Sequence, residues 1–269
     1  MLSLAGKECI ITGGSRGIGL AIARLFALHG ATCTLVGRDS ETLAEAATSL
    51  SSKDSSQQHG VAVFNVANAQ EWTDLIMRDW KDKRLDILVN AAGVSQNAFL
   101  FKSRHIPLQK IIQTNLMGTV WGCQNTIPKM MRQKDGCIIN VSSLLASHGG
   151  RGASVYAASK AGVVALTRSL AWEVGRFGIR ANVLMPGYIQ TDMTKGDIPP
   201  FLNLFFLLRH PGNILLPAVD RDQNGELSAL IPMGRLGLAE EVADAALFLA
   251  KNPYAHNCVL NIDGGLSAT

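Results

Sequence analysis

The stretch Thr12-Gly13-Gly14-Ser15-Arg16-Gly17-Ile18-Gly19 follows the apolar run 9–11 and opens the periodic run 20–28. That order reads as a strand, a tight turn and a helix. Gly13, Gly17 and Gly19 carry no Cβ, so main chain can come close to a pyrophosphate while the first N–H groups of the helix face it. The spacing is Gly-x-x-x-Gly-x-Gly, not the commoner Gly-x-Gly-x-x-Gly. Taken alone, the piece fits equally a turn that only packs a helix on a strand.

Working outward, strand-like apolar runs at 8–11, 32–36, 61–65, 85–90, 137–141, 180–185 and 258–262 alternate with helical patterns at 18–29, 40–50, 69–80, 107–131, 154–175 and 239–250. This alternation predicts an α/β fold: a Rossmann-like, doubly wound parallel sheet of about seven strands, helices on both faces, forming one domain over residues 1–269. A ligand crevice then lies at the carboxyl ends of the strands, where the glycine turn, Asn90, Ser143 and Pro186 all fall.

With 47% apolar residues the chain can bury a sizeable core. The net charge is +4 and the Lys and Arg residues are spread, which gives nucleic-acid binding little support and leaves an acidic partner open. Cys9, Cys33, Cys123, Cys137 and Cys258 form no Cys-x-x-Cys pair and read as buried thiols of a reducing compartment. The six histidines are scattered, so no metal site is expected. The glycine turn begins so near Met1 that a leader of usual length has no room, and no apolar run approaches the ~20 residues needed to span a bilayer. A cytoplasmic protein is expected, with the mitochondrial matrix as the alternative.

One segment breaks the pattern. Residues 195–230 form an atypical insert with the apolar stretch 201–208 bounded by Pro199-Pro200. It reads as a lid over an acyl chain, a subunit contact, a patch buried against the body, or translated intron sequence.

Tyr156 and Lys160 stand one helical turn apart in Val155-Tyr156-Ala157-Ala158-Ser159-Lys160. Both side chains therefore share a face. A phenol is a poor acid at neutral pH, and a nearby ammonium favours the phenolate and so eases release of its proton. Ser143 does not sit in a Gly-x-Ser-x-Gly elbow, which sets aside a nucleophilic hydrolase.

Together with Asn90-Ala91-Ala92-Gly93, Asn115, Ile139-Asn140-Val141-Ser142-Ser143, Pro186-Gly187 with Thr191, and Asp263-Gly264-Gly265, these motifs occur in an order that resembles the short-chain dehydrogenase/reductase family. Within it the chain resembles 3-oxoacyl-[acyl-carrier-protein] reductases and mitochondrial carbonyl-reductase relatives, and the resemblance covers nearly the whole chain. The resemblance implies Ser143, Tyr156, Lys160 and Asn115 as catalytic residues. Ser143 is preferred to Ser142 because thirteen residues separate it from Tyr156, as in the family. In that scheme Ser143 and Tyr156 hold the substrate oxygen, Tyr156 donates the proton, Lys160 lowers the Tyr156 pKa and binds the nicotinamide ribose, and Asn115 helps hold a water. The bland alternatives are a helix cap for Ser143, a strand tie for Asn115 and a cap of the insert for Thr191.

The resemblance also implies a dinucleotide held by Gly13, Ser15, Arg16, Gly17, Ile18, Gly19, Arg38, Asn65, Val66, Asn90, Ala91, Gly93, Tyr156, Lys160, Pro186, Gly187, Ile189 and Thr191. NAD-specific relatives carry an acid after the second strand, where this chain has Gly37-Arg38. Arg38 and Arg16 offer forked donors to a 2′-phosphate, so NADPH is expected. Solvated arginines are the alternative, and Asp39 keeps NAD open. The expected reaction is reduction of a ketone to a secondary alcohol, with a 3-oxoacyl carrier-protein substrate in fatty-acid synthesis. A free carbonyl, quinone or secondary-metabolite ketone, or dinucleotide binding without catalysis, are the rivals. Lys129, Arg132, Lys134, Arg168 and Arg176 suggest a basic rim for an acyl carrier protein or mere solvation, and the family implies a homotetramer.

Overall fold

The computed structural model describes residues 3–52, 57–96, 98–191 and 226–268. Seven strands form one sheet: β1 (Glu8–Thr12), β2 (Thr32–Gly37), β3 (Gly60–Val63), β4 (Ile87–Asn90), β5 (Gly136–Val141), β6 (Ile179–Pro186) and β9 (Val259–Ile262), in the order β3-β2-β1-β4-β5-β6-β9. Every pair is parallel, as the alternating pattern predicts. The order reverses at β1 and β4, so the crevice opens where the connections diverge to the two faces.

Successive residues of β1 feed opposite layers. Cys9 and Ile11 pack with α1 (Gly17–Leu28) and α9 (Ala239–Lys251), through Ile22, Phe26, Val242 and Leu249. Ile10 packs on the other side with Trp72 of α3 (Ala69–Asp74), Met130 of α5 (Gly118–Gln133) and Leu170 of α7 (Ser154–Val174). Because both faces are covered, the strands read as unbroken apolar runs instead of alternating ones. Each fully buried side chain of this size contributes about 1.5–3 kcal/mol relative to exposure.

Two helices depart from regular geometry. The predicted helix 107–131 is α4 (His105–Ile112), a widened π-helical turn Gln113–Met117, and α5. The predicted helix 69–80 is α3 followed by a π-helical turn, Leu75–Asp79. The remaining elements are α2 (Ser40–Thr48), α6 (Leu145–His148), α8 (Glu226–Leu230) and the small pair β7 (Ile189–Gln190) with β8 (Gly237–Leu238). Apart from α8, most of the 195–230 insert lies outside the described residues. No helix among the described residues is long and apolar enough to cross a membrane.

Candidate active site

A cavity of about 1070 Å³ runs across the carboxyl ends of the strands. Its walls include Gly13, Ser15, Arg16, Gly17, Ile18 and Gly19 of the turn, then Arg38, Asn65, Val66, Ala91, Gly93 and Thr191. Gly13 has φ +65°, and a Cβ there would come within 3.0 Å of the Ala91 carbonyl and the Ala92 main chain. Thr12 secures that approach: its Oγ1 accepts the Ala91 and Ala92 N–H groups at 3.0 and 3.1 Å. Arg16, the residue before α1, places no side-chain cap on the helix, so its first N–H groups face the cavity without a side-chain partner.

One end of the cavity is cationic. Arg16 and Arg38 are exposed on the lining and have no carboxylate partner among the described residues. Asp39 uses its carboxylate to accept the Thr42 N–H at 2.9 Å, capping α2, and that bond holds its pKa below the usual carboxylate range. Asn65 Oδ1 accepts the Ala67 N–H at 3.2 Å, and Trp72 Nε1 donates to the Val66 carbonyl at 3.1 Å, fixing the loop after β3. An open trough, an uncapped helix start and two unpaired guanidiniums fit an anionic dinucleotide.

At the other end, Lys160 Nζ donates to the Val141 carbonyl at 2.8 Å and lies 6.0 Å from the Tyr156 ring centre. A Cβ on Gly93 would touch both Lys160 Nζ and Asn115 Oδ1 at 3.5 Å, so these groups flank the end of the cavity. Burial pushes the Tyr156 phenol up from its ordinary value, opposed by its hydrogen bond with Ser143. Burial also pulls Lys160 down, to about 8. The expected lowering of Tyr156 by Lys160 is not what this arrangement shows: burial is the larger effect and the Ser143 hydrogen bond the one that opposes it. Ser143 also accepts the Leu145 N–H at 3.2 Å, so it serves the start of α6 as well as Tyr156. Ser142 instead donates to the Lys160 carbonyl at 2.8 Å and is buried, a structural role.

Several expected residues contribute differently. Asn115, in the widened turn, is fully buried; its Oδ1 accepts the Val94 N–H at 2.8 Å and its Nδ2 donates to the Val94 carbonyl at 3.0 Å and to Ser159 at 3.1 Å. Both amide atoms are thus engaged by protein. Asn90 turns its amide inward, donating to Asn140 Oδ1 at 2.8 Å, while its own Oδ1 has no partner among the described residues. Asn90 is buried and is not part of the cavity wall, which begins at Ala91. Ile189 is buried in the α1–α9 core, and the Pro186 carbonyl accepts the Leu144 N–H at 2.9 Å, tying β6 to the Ser143 segment. Gly187 donates its N–H to the Ile262 carbonyl at 2.9 Å. The basic rim loses Lys129: it is buried, and its Nζ donates to the Lys81 carbonyl at 3.2 Å. Arg132, Lys134 and Arg176 do gather, around a second cavity of about 650 Å³.

Sequence reasoning missed two neighbours of Tyr156. Gln96 Oε1 accepts the N–H groups of Val155 and Tyr156 at 2.8 and 3.2 Å. Tyr188 lies close enough for Tyr156 to raise its phenol, after the larger effect of burial. A lone Gln in a loop carries no local signal of such a contact; the Tyr188 position could have been found from its place directly after Pro186-Gly187.

The family model for short chain dehydrogenases matches residues 7–199. A curated relative, carbonyl reductase family member 4 of Xenopus tropicalis, is 33% identical over 261 residues, covering 97% of this chain and 98% of the relative. The 3-oxoacyl-[acyl-carrier-protein] reductase of Bos taurus is 37% identical over 265 residues, covering 98% and 99%. Among solved structures, one named for an NAD(P)-dependent gluconate 5-dehydrogenase of Beutenbergia cavernae, with NADP at low occupancy, superposes with a TM-score of 0.83 at 29% identity and covers 100% of this chain and 99% of that one.

Proposed function

The chain belongs to the short-chain dehydrogenase family, and from that premise we propose that it reduces a ketone to a secondary alcohol with NADPH, acting on a 3-oxoacyl group borne by a carrier protein. The observation that carries the reading is the grouping of Ser143, Tyr156 and Lys160 beside Gly93, which lines the same cavity as Arg16 and Arg38. NADPH supplies the hydride when bound. Glycine-turn main chain and the α1 N–H groups hold its pyrophosphate, and the two arginines favour a 2′-phosphate over a bare hydroxyl. Ser143 and Tyr156 donate hydrogen bonds to the ketone oxygen, and Tyr156 gives up its proton as negative charge grows there. Its raised pKa keeps that proton loaded at neutral pH. The Lys160 ammonium, at the same end, stabilises the phenolate that remains.

Carrier-protein binding is supported by the Arg132, Lys134 and Arg176 cluster and by the name of the bovine relative. The name of the Xenopus relative favours a second reading, a free carbonyl compound as substrate. A homotetramer in the cytoplasm or mitochondrial matrix is the proposed setting. NADPH oxidation measured with acetoacetyl-carrier protein, free diketones and quinones separates the substrates. Preference for the carrier-bound ketone is expected, and no activity on it rejects that assignment.

A further inference from the structure

Building on the proposed ketone reduction, we infer that Arg151, seated on Phe99 at the mouth of the Tyr156 site, is an anion anchor that selects ketones carrying a carboxylate or phosphate. The Arg151 guanidinium carbon stands 5.5 Å from the Phe99 ring centre, and Phe99 stacks on Phe101 with centres 5.4 Å apart and planes 10° from parallel. Lys102 covers Phe101 at 6.0 Å, adding a second cation to the same aromatic pair. This cluster adjoins the chemistry because Gln96 ties its loop to the catalytic helix. The Gln96 oxygen accepts the Val155 and Tyr156 N–H groups, and its Nε2 donates to the Ala98 carbonyl at 2.9 Å, one residue from Phe99. Arg151 approaches from the other wall, the segment between Ser143 and Tyr156, on a loop where Gly149 and Gly152 have φ of +67° and +72°.

The guanidinium's N–H donors are unengaged by the described residues. An arginine that meets a ring through its face keeps its in-plane N–H donors for a ligand. Arg151 has no hydrogen-bond or ion-pair partner among the described residues, and it is half-buried, where an incoming anion is less screened than at the open surface. The stretch of chain that supplies both Phe99 and Arg151 is short of acids. Between Asp86 and Glu173 the sequence holds a single carboxylate, Asp135, and that group is already paired with Lys7 and Arg84. No carboxylate among the described residues is paired with Arg151. The anion comes from one of two sources: the carboxylate of a small oxo acid, or the phosphate of a pantetheine-type carrier arm.

The test uses the full chain with NADPH and two matched substrate pairs: acetoacetate with ethyl acetoacetate, and acetoacetyl-4′-phosphopantetheine with acetoacetyl-pantetheine. Replacing Arg151 with Met is expected to lower kcat/KM about tenfold or more for the charged member of one pair while leaving its neutral partner within about twofold, as loss of a charge-assisted contact requires. Arg151→Lys should recover part of the loss, and the pair that responds identifies the source. Arg151→Gln serves the same comparison if the Met variant fails to fold. Equal losses on charged and neutral members, or no loss on any, would overturn the anchor while leaving ketone reduction intact. Failure of the unaltered protein to reduce all four ketones would instead overturn the parent reading and the anchor with it.

Discussion

The side-chain oxygen of Gln96 accepts the main-chain N–H of Tyr156 at 3.2 Å, having already accepted that of Val155 at 2.8 Å. The loop after β4 thereby replaces the missing side-chain cap of α7 and sets the angle at which the helix delivers Tyr156. Removing a buried acceptor of this kind costs about 1–3 kcal/mol. Gln96→Ala should lower Tm by several degrees and reduce kcat more than it changes NADPH affinity, whereas Gln96→Glu, which keeps the acceptor, should recover most of the stability. Thermal melts with steady-state kinetics decide this, and an unchanged Tm in the Ala variant contradicts it.

Lys160 gives the reaction an alkaline limit. With its pKa pulled down to about 8, it is an ammonium below that pH and a neutral amine above it. The charged form assists release of the Tyr156 proton, so kcat/KM for reduction should hold through neutrality and fall as pH rises past about 8. In Lys160→Arg, whose side chain stays charged, any residual activity should lack that limb. A wild-type profile that stays flat well above this pH argues against Lys160 as the titrating group.

In the proposed function Arg38 selects the dinucleotide. It lines the cavity without a carboxylate partner among the described residues, while Asp39 is occupied at the start of α2. Arg38→Ala should weaken NADPH binding by about 10- to 100-fold and NADH binding far less, from the loss of one charge-assisted pair. Fluorescence titration with both nucleotides measures the ratio. Equal losses would remove Arg38 from the 2′-phosphate site.

Gly19 is sterically committed. A Cβ there would run into the Gly13 carbonyl oxygen, which is backbone and cannot rotate away. Gly19→Ala should push the turn out of shape, abolishing measurable dinucleotide binding and lowering Tm. A variant that binds NADPH normally would show that the turn has a looser fit than the structure describes.

The strands and the glycine turn were legible because their signals are local: an apolar run, a Cβ-free turn and a periodic helix stand next to one another in the chain. The proximity of Ser143, Tyr156 and Lys160 was legible from resemblance and from the one-turn spacing of Tyr156 and Lys160. What escaped depends on distant contacts. Gln96 reaches a helix 60 residues away, and the π-helical turns at Leu75–Asp79 and Gln113–Met117 have no composition of their own. Asn90 and Asn140 pair across adjacent strands, which commits the Asn90 side chain to the sheet interior. Lys129 was misplaced because a lysine on an amphipathic helix reads as solvated, yet its ammonium is held inside by the Lys81 carbonyl.

The central claim is that the Tyr156 phenol supplies the proton that completes ketone reduction, and Tyr156→Phe tests it with NADPH affinity and turnover measured on the same preparation. The account predicts NADPH binding within about twofold of the unaltered protein and a loss of kcat of about 10²–10⁴-fold, the range for a removed general acid. Undiminished turnover in the Phe variant would contradict it.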